Sequence, residues 1–159
     1  METFQISQLS FTYPGQARPA LEHISLCVEE GAFLVLCGQS GCGKTTLLRQ
    51  LKPALTPHGT QSGQILFQGR PLRELGPRQQ SGDIGFVMQS PDNQLVTDKV
   101  WHELAFGLES LGLPTPVIRR RVAEMASFFG MEDWFHRESA QLSGGQKQLL
   151  ALASVMVMQ

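Results

Sequence analysis

The chain has 159 residues, which is enough for one domain with a sizeable hydrophobic core. A formal net charge of −1 argues against a nucleic-acid-binding protein, because no excess of positive charge would attract a polyanion. The three cysteines have no C-x-x-C spacing, the N-terminus has no signal-peptide pattern, and no apolar run is long enough to span a bilayer. We therefore predict a soluble, intracellular domain.

Two half-buried strands are predicted at the start of the chain. Apolar and polar residues alternate over residues 2–13 and again over residues 24–28, with a turn signal directly after Tyr13. An aromatic side chain at the end of a strand, such as that of Tyr13, can stack on a purine base or simply cover the edge of the sheet. The residues alone leave both interpretations open.

A phosphate-binding loop is predicted next. The apolar run over residues 33–37 predicts a buried strand and residues 47–51 predict a helix, and between them the sequence matches the P-loop pattern G-x-x-x-x-G-K-[ST]. In a strand–turn–helix context this pattern indicates nucleotide binding. The residues of the loop and of the first helical turn are Gly38, Gln39, Ser40, Gly41, Cys42, Gly43, Lys44, Thr45 and Thr46.

Each residue type in this loop suits the binding of phosphate. The glycines allow backbone conformations that other residues avoid, and they let N–H groups approach an anion closely. The start of the helix adds N–H groups without intrahelical partners and the positive end of the helix dipole. Lys44 is predicted to reach the β- and γ-phosphates, and the Thr45 hydroxyl is predicted to complete a Mg²⁺ shell. The alternative, a glycine-rich turn without a ligand, explains this pattern less well.

A second buried strand is predicted over residues 84–88, after a short strand over residues 64–70. A continuous apolar run of strand length is typical of a parallel strand that is covered on both faces. Gln89 follows directly, at the carboxyl end of the predicted strand, where ligands bind in α/β sheets. Gln89 is therefore a candidate site residue by its position.

The pattern then becomes helical. Apolar residues spaced by three or four predict one helix that ends at Gly112 and a second that ends at Gly130, with Thr115 as the cap at the start of the second. The arginines over residues 119–121 are explained by a solvated helix face, and the four histidines have no metal-ligand spacing. Residues 98–135 thus predict a helical insert after a strand-rich core.

A second glycine-rich helix start follows the insert. Ser143 is the candidate N-cap of this helix, which makes its first turn a second candidate anion site. A flexible helix start without a ligand is the alternative. The five residues concerned are Leu142, Ser143, Gly144, Gly145 and Gln146.

A P-loop and a Leu-Ser-Gly-Gly-Gln signature, separated by a helical insert, resemble the ATP-binding cassette (ABC) ATPases. The resemblance implies an α/β fold, with a P-loop NTPase core, an antiparallel β subdomain and a helical subdomain, and it implies ATP and Mg²⁺ as cofactors. It gives Tyr13 the role of stacking on adenine, gives Lys44 and Gln89 catalytic roles, and makes Thr45 and Gln89 the Mg²⁺ ligands. Since two such domains pair head to tail in this family, residues 142–146 are implied to bind the partner's ATP, with Ser143, Gly144 and Gly145 contacting its γ-phosphate.

The segment after Gln89 narrows the resemblance. Residues 90–96 are similar to those of the ATPase subunits of energy-coupling factor (ECF) importers, which take up vitamins and transition-metal ions. This implies an ATP-hydrolysing subunit that pairs with a second ATPase domain on a transmembrane coupling protein, which carries a separate substrate-binding membrane subunit. It also implies a peripheral position on the cytoplasmic face of the cell membrane and no nucleic-acid partner. In such importers the transported substrate is recognised by another protein, so this chain is not expected to bind it.

By the same resemblance, residues 1–93 form the nucleotide-binding core, residues 94–146 form the helical subdomain with the signature, and residues 147–159 start the next helix. No Asp or Glu follows Glu138, so the Walker B Asp, the water-activating Glu, the D-loop and the switch histidine of the family are expected beyond Gln159. We therefore predict an ABC ATP-binding domain that is incomplete at its C-terminus and that does not hydrolyse ATP by itself.

Three alternatives remain within the ABC ATPases. Those of chromosome maintenance and DNA repair place a long coiled coil between the P-loop and the signature, but residues 47–141 contain no sustained heptads. A soluble, translation-associated ABC ATPase would carry two cassettes and a charged linker. A binding-only subunit of a heterodimeric pair would have degenerate motifs, whereas the P-loop and the signature are intact here.

Overall fold

The computed structural model describes residues 2–159, which fall into two compact units. The first unit extends to Gln80, and the second extends from Ser81 to Gln159. In chain order the helices and strands are β1 (Glu2–Thr12), β2 (Leu21–Glu29), α1 (Lys44–Gln50), β3 (Thr60–Phe67), β4 (Arg70–Pro71), α2 (Pro77–Asp83), α3 (Val100–Ser110), α4 (Thr115–Phe128) and α5 (Gly144–Met156).

The first unit contains an antiparallel sheet with the strand order β2-β1-β3-β4. The central strand β1 pairs with both long neighbours, so that Ile6 lies opposite Leu26 of β2 and opposite Ile65 of β3. The two strands predicted at the start of the chain are confirmed. β3 begins four residues earlier than the predicted start at residue 64, because its pairing with β1 continues to Thr60.

An irregularity in β1 explains its pattern of buried residues. Ile6, Leu9 and Phe11 are all buried, although a spacing of three would place Ile6 and Leu9 on opposite faces of a regular strand. The pairing register with β2 shifts between these two residues, and Gln8 there has a positive φ of 49°. Such a bulge adds one residue to the strand, so Leu9 and Phe11 are buried on the same covered face of the sheet as Ile6. The buried apolar residues of the sheet are Ile6, Leu9, Phe11, Leu21, Ile65 and Phe67.

The predicted strands over residues 33–37 and 84–88 are wrong as hydrogen-bonded strands. Phe33 is 95% exposed and Val35 is 64% exposed, and no strand is assigned to either run. A buried parallel strand requires hydrogen-bonded neighbours that come from distant parts of the sequence. Residues 2–159 provide no paired strand beside either run. The apolar composition of these runs suits burial. It does not determine which other strands would pair with them.

Three helices build the second unit around a shared core. The predicted apolar stripes are confirmed, because Val100, Leu104 and Leu108 of α3 and Ile118 and Val122 of α4 are buried. α5 packs against α3 and completes the core. The buried members are Val100, Leu104, Ala105, Leu108, Ile118, Val122, Ala126, Met131, Trp134, Leu142, Leu150, Ala153 and Val157.

The predicted start of α4 is wrong by one residue. Pro114 is the N-cap, and its carbonyl oxygen accepts hydrogen bonds from the N–H groups of Val117 and Ile118. Thr115 is consequently the first helical residue, and its side chain makes no capping hydrogen bond within the described chain. Proline fits the N-cap here because that position needs an extended backbone and a carbonyl acceptor, and no N–H donor.

Candidate functional site

The P-loop has a backbone that requires glycine. Gly38, Gly41 and Gly43 have positive φ angles of 154°, 84° and 96°. Gly43 is the N-cap of α1, and a Cβ atom there would lie 2.6 Å from the carbonyl oxygen of Ala20. A Cβ atom at Gly38 would lie 2.8 Å from Sγ of Cys42. At Gly43 a side chain would displace the backbone of Ala20, whereas at Gly38 it would displace the thiol of Cys42, so the tight turn depends most on Gly43.

Lys44 folds back over this loop. Its Nζ atom donates hydrogen bonds to the carbonyl oxygens of Gly38 and Gln39, each at 2.8 Å, and lies 3.6 Å from Sγ of Cys42. The N–H groups of the first turn of α1 have no intrahelical acceptors. The partners of this ammonium are neutral groups, and an anion beside it and beside the free N–H donors of the helix start would form stronger, charge-assisted hydrogen bonds. The loop therefore has the donor set that a phosphate group requires.

Tyr13 connects the end of β1 to α1. Its hydroxyl lies 3.0 Å from Oγ1 of Thr46, and its ring contacts Phe11 edge-on, with 4.9 Å between the ring centroids. Thr46 is buried, whereas the neighbouring Thr45 is exposed. Of the two threonines, only Thr45 thus presents its side chain to a ligand. The half-buried ring of Tyr13 is held in place by its hydroxyl, and its stacking on adenine stays a prediction.

The signature residues form the start of α5. Ser143 is the N-cap, as predicted: its Oγ accepts from the N–H of Gln146 at 3.3 Å, and Oε1 of Gln146 accepts from the N–H of Ser143 at 2.9 Å. This capping box fixes the first turn. Leu142 is buried in the helical core, while Gly144 and Gly145 are exposed, with open space where a side chain would stand. A second molecule can therefore approach this helix start closely.

Gln89 lies in the second unit, at the exposed end of the run over residues 84–88. A short 3₁₀ turn, Pro91–Asn93, follows it and packs against α5. The predicted site residues thus fall into two groups. Tyr13 and the P-loop lie together in the first unit, and Gln89 and the signature lie in the second.

Glu103, which was not predicted as a site residue, organises the segment that follows Gln89. This carboxylate is 4% exposed and accepts three hydrogen bonds, from the N–H of Val96 at 3.1 Å and from the N–H and the hydroxyl of Thr97 at 2.8 Å each. The spacing from Thr97 to Glu103 matches no common capping pattern, so no sequence signal marks it. The segment before α3 is therefore a fixed structure held by one buried acid.

Over residues 2–159, none of the helices has the length and apolar character needed to cross a membrane. Within the same range, no group of three or more His, Cys, Asp and Glu side chains is placed to hold a metal ion.

Comparison with known proteins agrees with this geometry. Residues 21–159 match the family model of the ABC transporters. A Bacillus cereus protein named as an ABC transporter ATP-binding protein is 48% identical over 155 residues, which cover 98% of this chain and 28% of that protein. The energy-coupling factor transporter ATP-binding protein EcfA of Syntrophomonas wolfei is 40% identical over 154 residues, which cover 96% of this chain and 55% of that protein.

A solved structure shows the same fold. It is cbiO1 from Clostridium perfringens, described as part of the ABC transporter complex cbiONQ. The similarity has a TM-score of 0.84 at 30% identity and covers 99% of this chain and 62% of that chain.

The fold and the P-loop together define a P-loop NTPase domain that has an antiparallel sheet and a helical unit. The chain belongs to the ABC transporter family, and its fold is that of the ABC ATPases. The fold class expected from the motifs is thereby confirmed. The chain spans 28% of the length of the Bacillus cereus relative and about half of EcfA.

Proposed function

We propose that this chain is part of the ATPase subunit of an ECF-type ABC importer, which couples binding and hydrolysis of MgATP to the uptake of a vitamin or a transition-metal ion. The observation that carries this proposal is the P-loop, in which three glycines have positive φ angles and the ammonium of Lys44 lies over the loop. The identity to EcfA and the likeness to cbiO1 support the narrower ECF assignment.

The residues of the loop suit the roles that this function requires. Loop N–H groups and Lys44 would bind the β- and γ-phosphates, and the exposed Thr45 and Gln89 would be the ligands of Mg²⁺. When bound, Mg²⁺ neutralises charge on the phosphate oxygens. This chain would contribute positioning and charge neutralisation to hydrolysis, which are the main catalytic terms in phosphoryl transfer.

The signature would act on a partner's nucleotide. Ser143, Gly144 and Gly145 would approach the γ-phosphate bound by a second ATPase domain in a head-to-tail pair. The capping box that orients Ser143 and the open space beside both glycines support this role. In the complete subunit, the pair would sit on a transmembrane coupling protein at the cytoplasmic face of the membrane, together with a substrate-binding membrane subunit.

Binding of MgATP should protect Cys42 from alkylation. Cys42 is exposed and its Sγ lies 3.6 Å from Nζ of Lys44, so a phosphate in the loop would cover the thiol. At ten times the Kd about one site in eleven is free, so alkylation by N-ethylmaleimide should slow about 10-fold. Mass spectrometry of the full-length protein, with and without MgATP, measures this rate.

Cys27 is the internal control for this experiment. It lies on β2, is exposed, and should react at the same rate with or without MgATP. Partial desolvation, together with a hydrogen bond to Glu2 and the charge of Glu2, raises the pKa of the Cys27 thiol, which slows its reaction without hiding it. If MgATP leaves the alkylation of Cys42 unchanged, the placement of this residue beside the phosphates is wrong.

Docking on the membrane partner is tested at Val96. In the segment over residues 90–96, the side chain of Leu95 packs against the helical core, so its substitution would disturb folding. Val96 is 65% exposed, and only its backbone N–H is engaged, by Glu103. A charge buried in an apolar contact is costly, so Val96→Asp should weaken association with the coupling protein roughly 10-fold or more while leaving the Kd for MgATP unchanged.

The matched control is Phe128→Asp, which places the same charge on an apolar residue of α4 that is 75% exposed. The measurement is co-purification with the membrane partner and substrate uptake into liposomes by the reconstituted complex. Full uptake and association with Val96→Asp would contradict the proposed docking segment. A full-length protein that never co-purifies with a membrane protein would favour a soluble ABC ATPase instead.

A further inference from the structure

The side-chain carboxamide of Gln94 links the residue before Gln89 to α5, the helix that begins with the signature residues. Oε1 of Gln94 accepts a hydrogen bond from the N–H of Met88 at 2.8 Å, and Nε2 of Gln94 donates to the carbonyl oxygen of Ala151 at 2.9 Å. Met88 directly precedes Gln89, and Ala151 lies in the middle of α5. A single side chain thus bridges the two candidate site elements of the second unit.

An ion pair makes a second connection at the other end of the same turn. Nζ of Lys147 lies 2.6 Å from Oδ1 of Asp92, and Lys147 directly follows the last signature residue, Gln146. Because Asp92 is mostly exposed, such a pair contributes little to stability. Its effect is orientation: the 3₁₀ turn Pro91–Asn93 is held against the first turn of α5 as well as against its middle.

The run before Gln89 also lies directly on α5. A Cβ atom at Gly85 would collide with Cγ1 of Val155, so only glycine allows this approach. Val155 is one helical turn beyond Ala151, which is buried, with 1% of its surface exposed. The carbonyl of Ala151 also accepts from the hydroxyl of Ser154 at 3.0 Å. The bridge by Gln94 is therefore made in close-packed surroundings, where a change at one end displaces the other.

Glutamine is the only residue type that makes both hydrogen bonds here. The bridge requires one acceptor and one donor at the end of a three-carbon side chain. Glutamate would keep the acceptor for Met88 but would place an oxygen against the carbonyl of Ala151. Methionine has the same length and no amide, and asparagine is one methylene shorter. Each of these substitutions therefore disrupts the bridge, and each does so in a different way.

We infer that Gln94 is a positioning residue that makes the signature helix move with Gln89. This inference rests on the proposed function, in which Gln89 responds to MgATP. A shift of Gln89 carries the N–H of Met88 with it, and Gln94 passes this shift to Ala151 and hence to the start of α5 at Ser143. Two sites are coupled in this way when the ligand favours one of two arrangements of the bridging element.

The test uses the full-length protein in its complete complex. Gln94→Met should leave the Kd and KM for ATP within about 2-fold, because the P-loop is untouched, and should lower kcat about 10-fold, because the signature is no longer positioned. Gln94→Glu should also lower kcat, since it loses the donor to Ala151. Gln64→Met, at an exposed glutamine of β3, is the matched control and should keep the wild-type kcat.

A mutant cycle with Ser143→Ala separates positioning from a general loss of stability. If Gln94 acts through the signature, Gln94→Met should lower kcat less than about 2-fold in a protein that already carries Ser143→Ala. A full 10-fold loss in that background would overturn the inference, because the two effects would then be independent. A wild-type kcat for Gln94→Met alone would overturn it as well.

Hydrogen exchange tests the bridge without any need for ATP hydrolysis. Gln94→Met removes the acceptor of the Met88 N–H, so exchange of this amide should accelerate about 10-fold, with unchanged exchange at β1. Unchanged exchange at Met88 would overturn the bridge itself. Failure of the proposed function is recognised separately, as a wild-type complex that neither binds nor hydrolyses MgATP.

Discussion

Replacing Lys44 by alanine should weaken MgATP binding roughly 100-fold, since charge-assisted hydrogen bonds contribute about 1.5–3 kcal/mol each and 1.4 kcal/mol is a factor of ten. The ammonium of Lys44 is the cation that lies over the loop, bonded to the carbonyls of Gly38 and Gln39. Alanine leaves the loop glycines in place and removes the ammonium together with its methylene groups. Isothermal titration calorimetry on the full-length protein measures the change in Kd.

Arg49→Ala is the control for this substitution. Arg49 is an exposed cation in the last turn of the same helix, so its removal changes the net charge equally without touching the loop. Its Kd for MgATP should stay within about 2-fold of the wild type, because exposed charges away from the ligand are screened by salt. An Lys44→Ala variant that is folded and binds MgATP with unchanged affinity would contradict the assignment of the P-loop.

Leu150→Ala should cost about 2–5 kcal/mol of unfolding free energy, as expected for a leucine deleted from a packed core. Leu150 is 0% exposed and belongs to the core that α5 shares with α3. Two residues along the same helix, Leu152 is 39% exposed, so Leu152→Ala should cost less than about 1 kcal/mol. The pair separates burial from helix propensity, because both are leucine-to-alanine changes in α5.

Urea denaturation of the full-length protein measures this difference. Trp134 is buried in the same core, so its fluorescence reports on the unfolding of the helical unit. A lower urea midpoint for Leu150→Ala than for Leu152→Ala is expected. Equal midpoints for the two variants would show that α5 does not pack as described.

Local motifs account for what could be predicted at the site. The P-loop glycines and the Ser143 cap depend on residues within a few positions of one another, and the structure places them in the expected turn and helix start. The adjustment at Thr115 is also local: Pro114 supplies an extended backbone and a carbonyl, so the helix begins one residue from the expected place. A difference of one residue is within the usual variation of helix ends.

The bridging contacts could not be predicted in the same way. Gln94 reaches Ala151 across 57 positions of sequence, and Lys147 reaches Asp92 across 55. Nothing in the type or spacing of these residues indicates that they meet, because polar side chains in a loop and on a helix are most often solvated. The hydrogen bond between Tyr13 and Thr46 likewise depends on the sheet that places β1 beside α1.

By itself, the sequence determined the chemical character of this protein: a phosphate-binding loop, a signature helix start and alternating or helical apolar patterns, all of which are short-range. The tertiary structure alone decided which segments pair and which side chains meet. Residues 33–37 show why, since their apolar character suits a buried strand, yet Phe33 remains exposed and unpaired among the described residues. Strand pairing and side-chain bridges join residues far apart in sequence, so they depend on the whole fold and leave no local pattern.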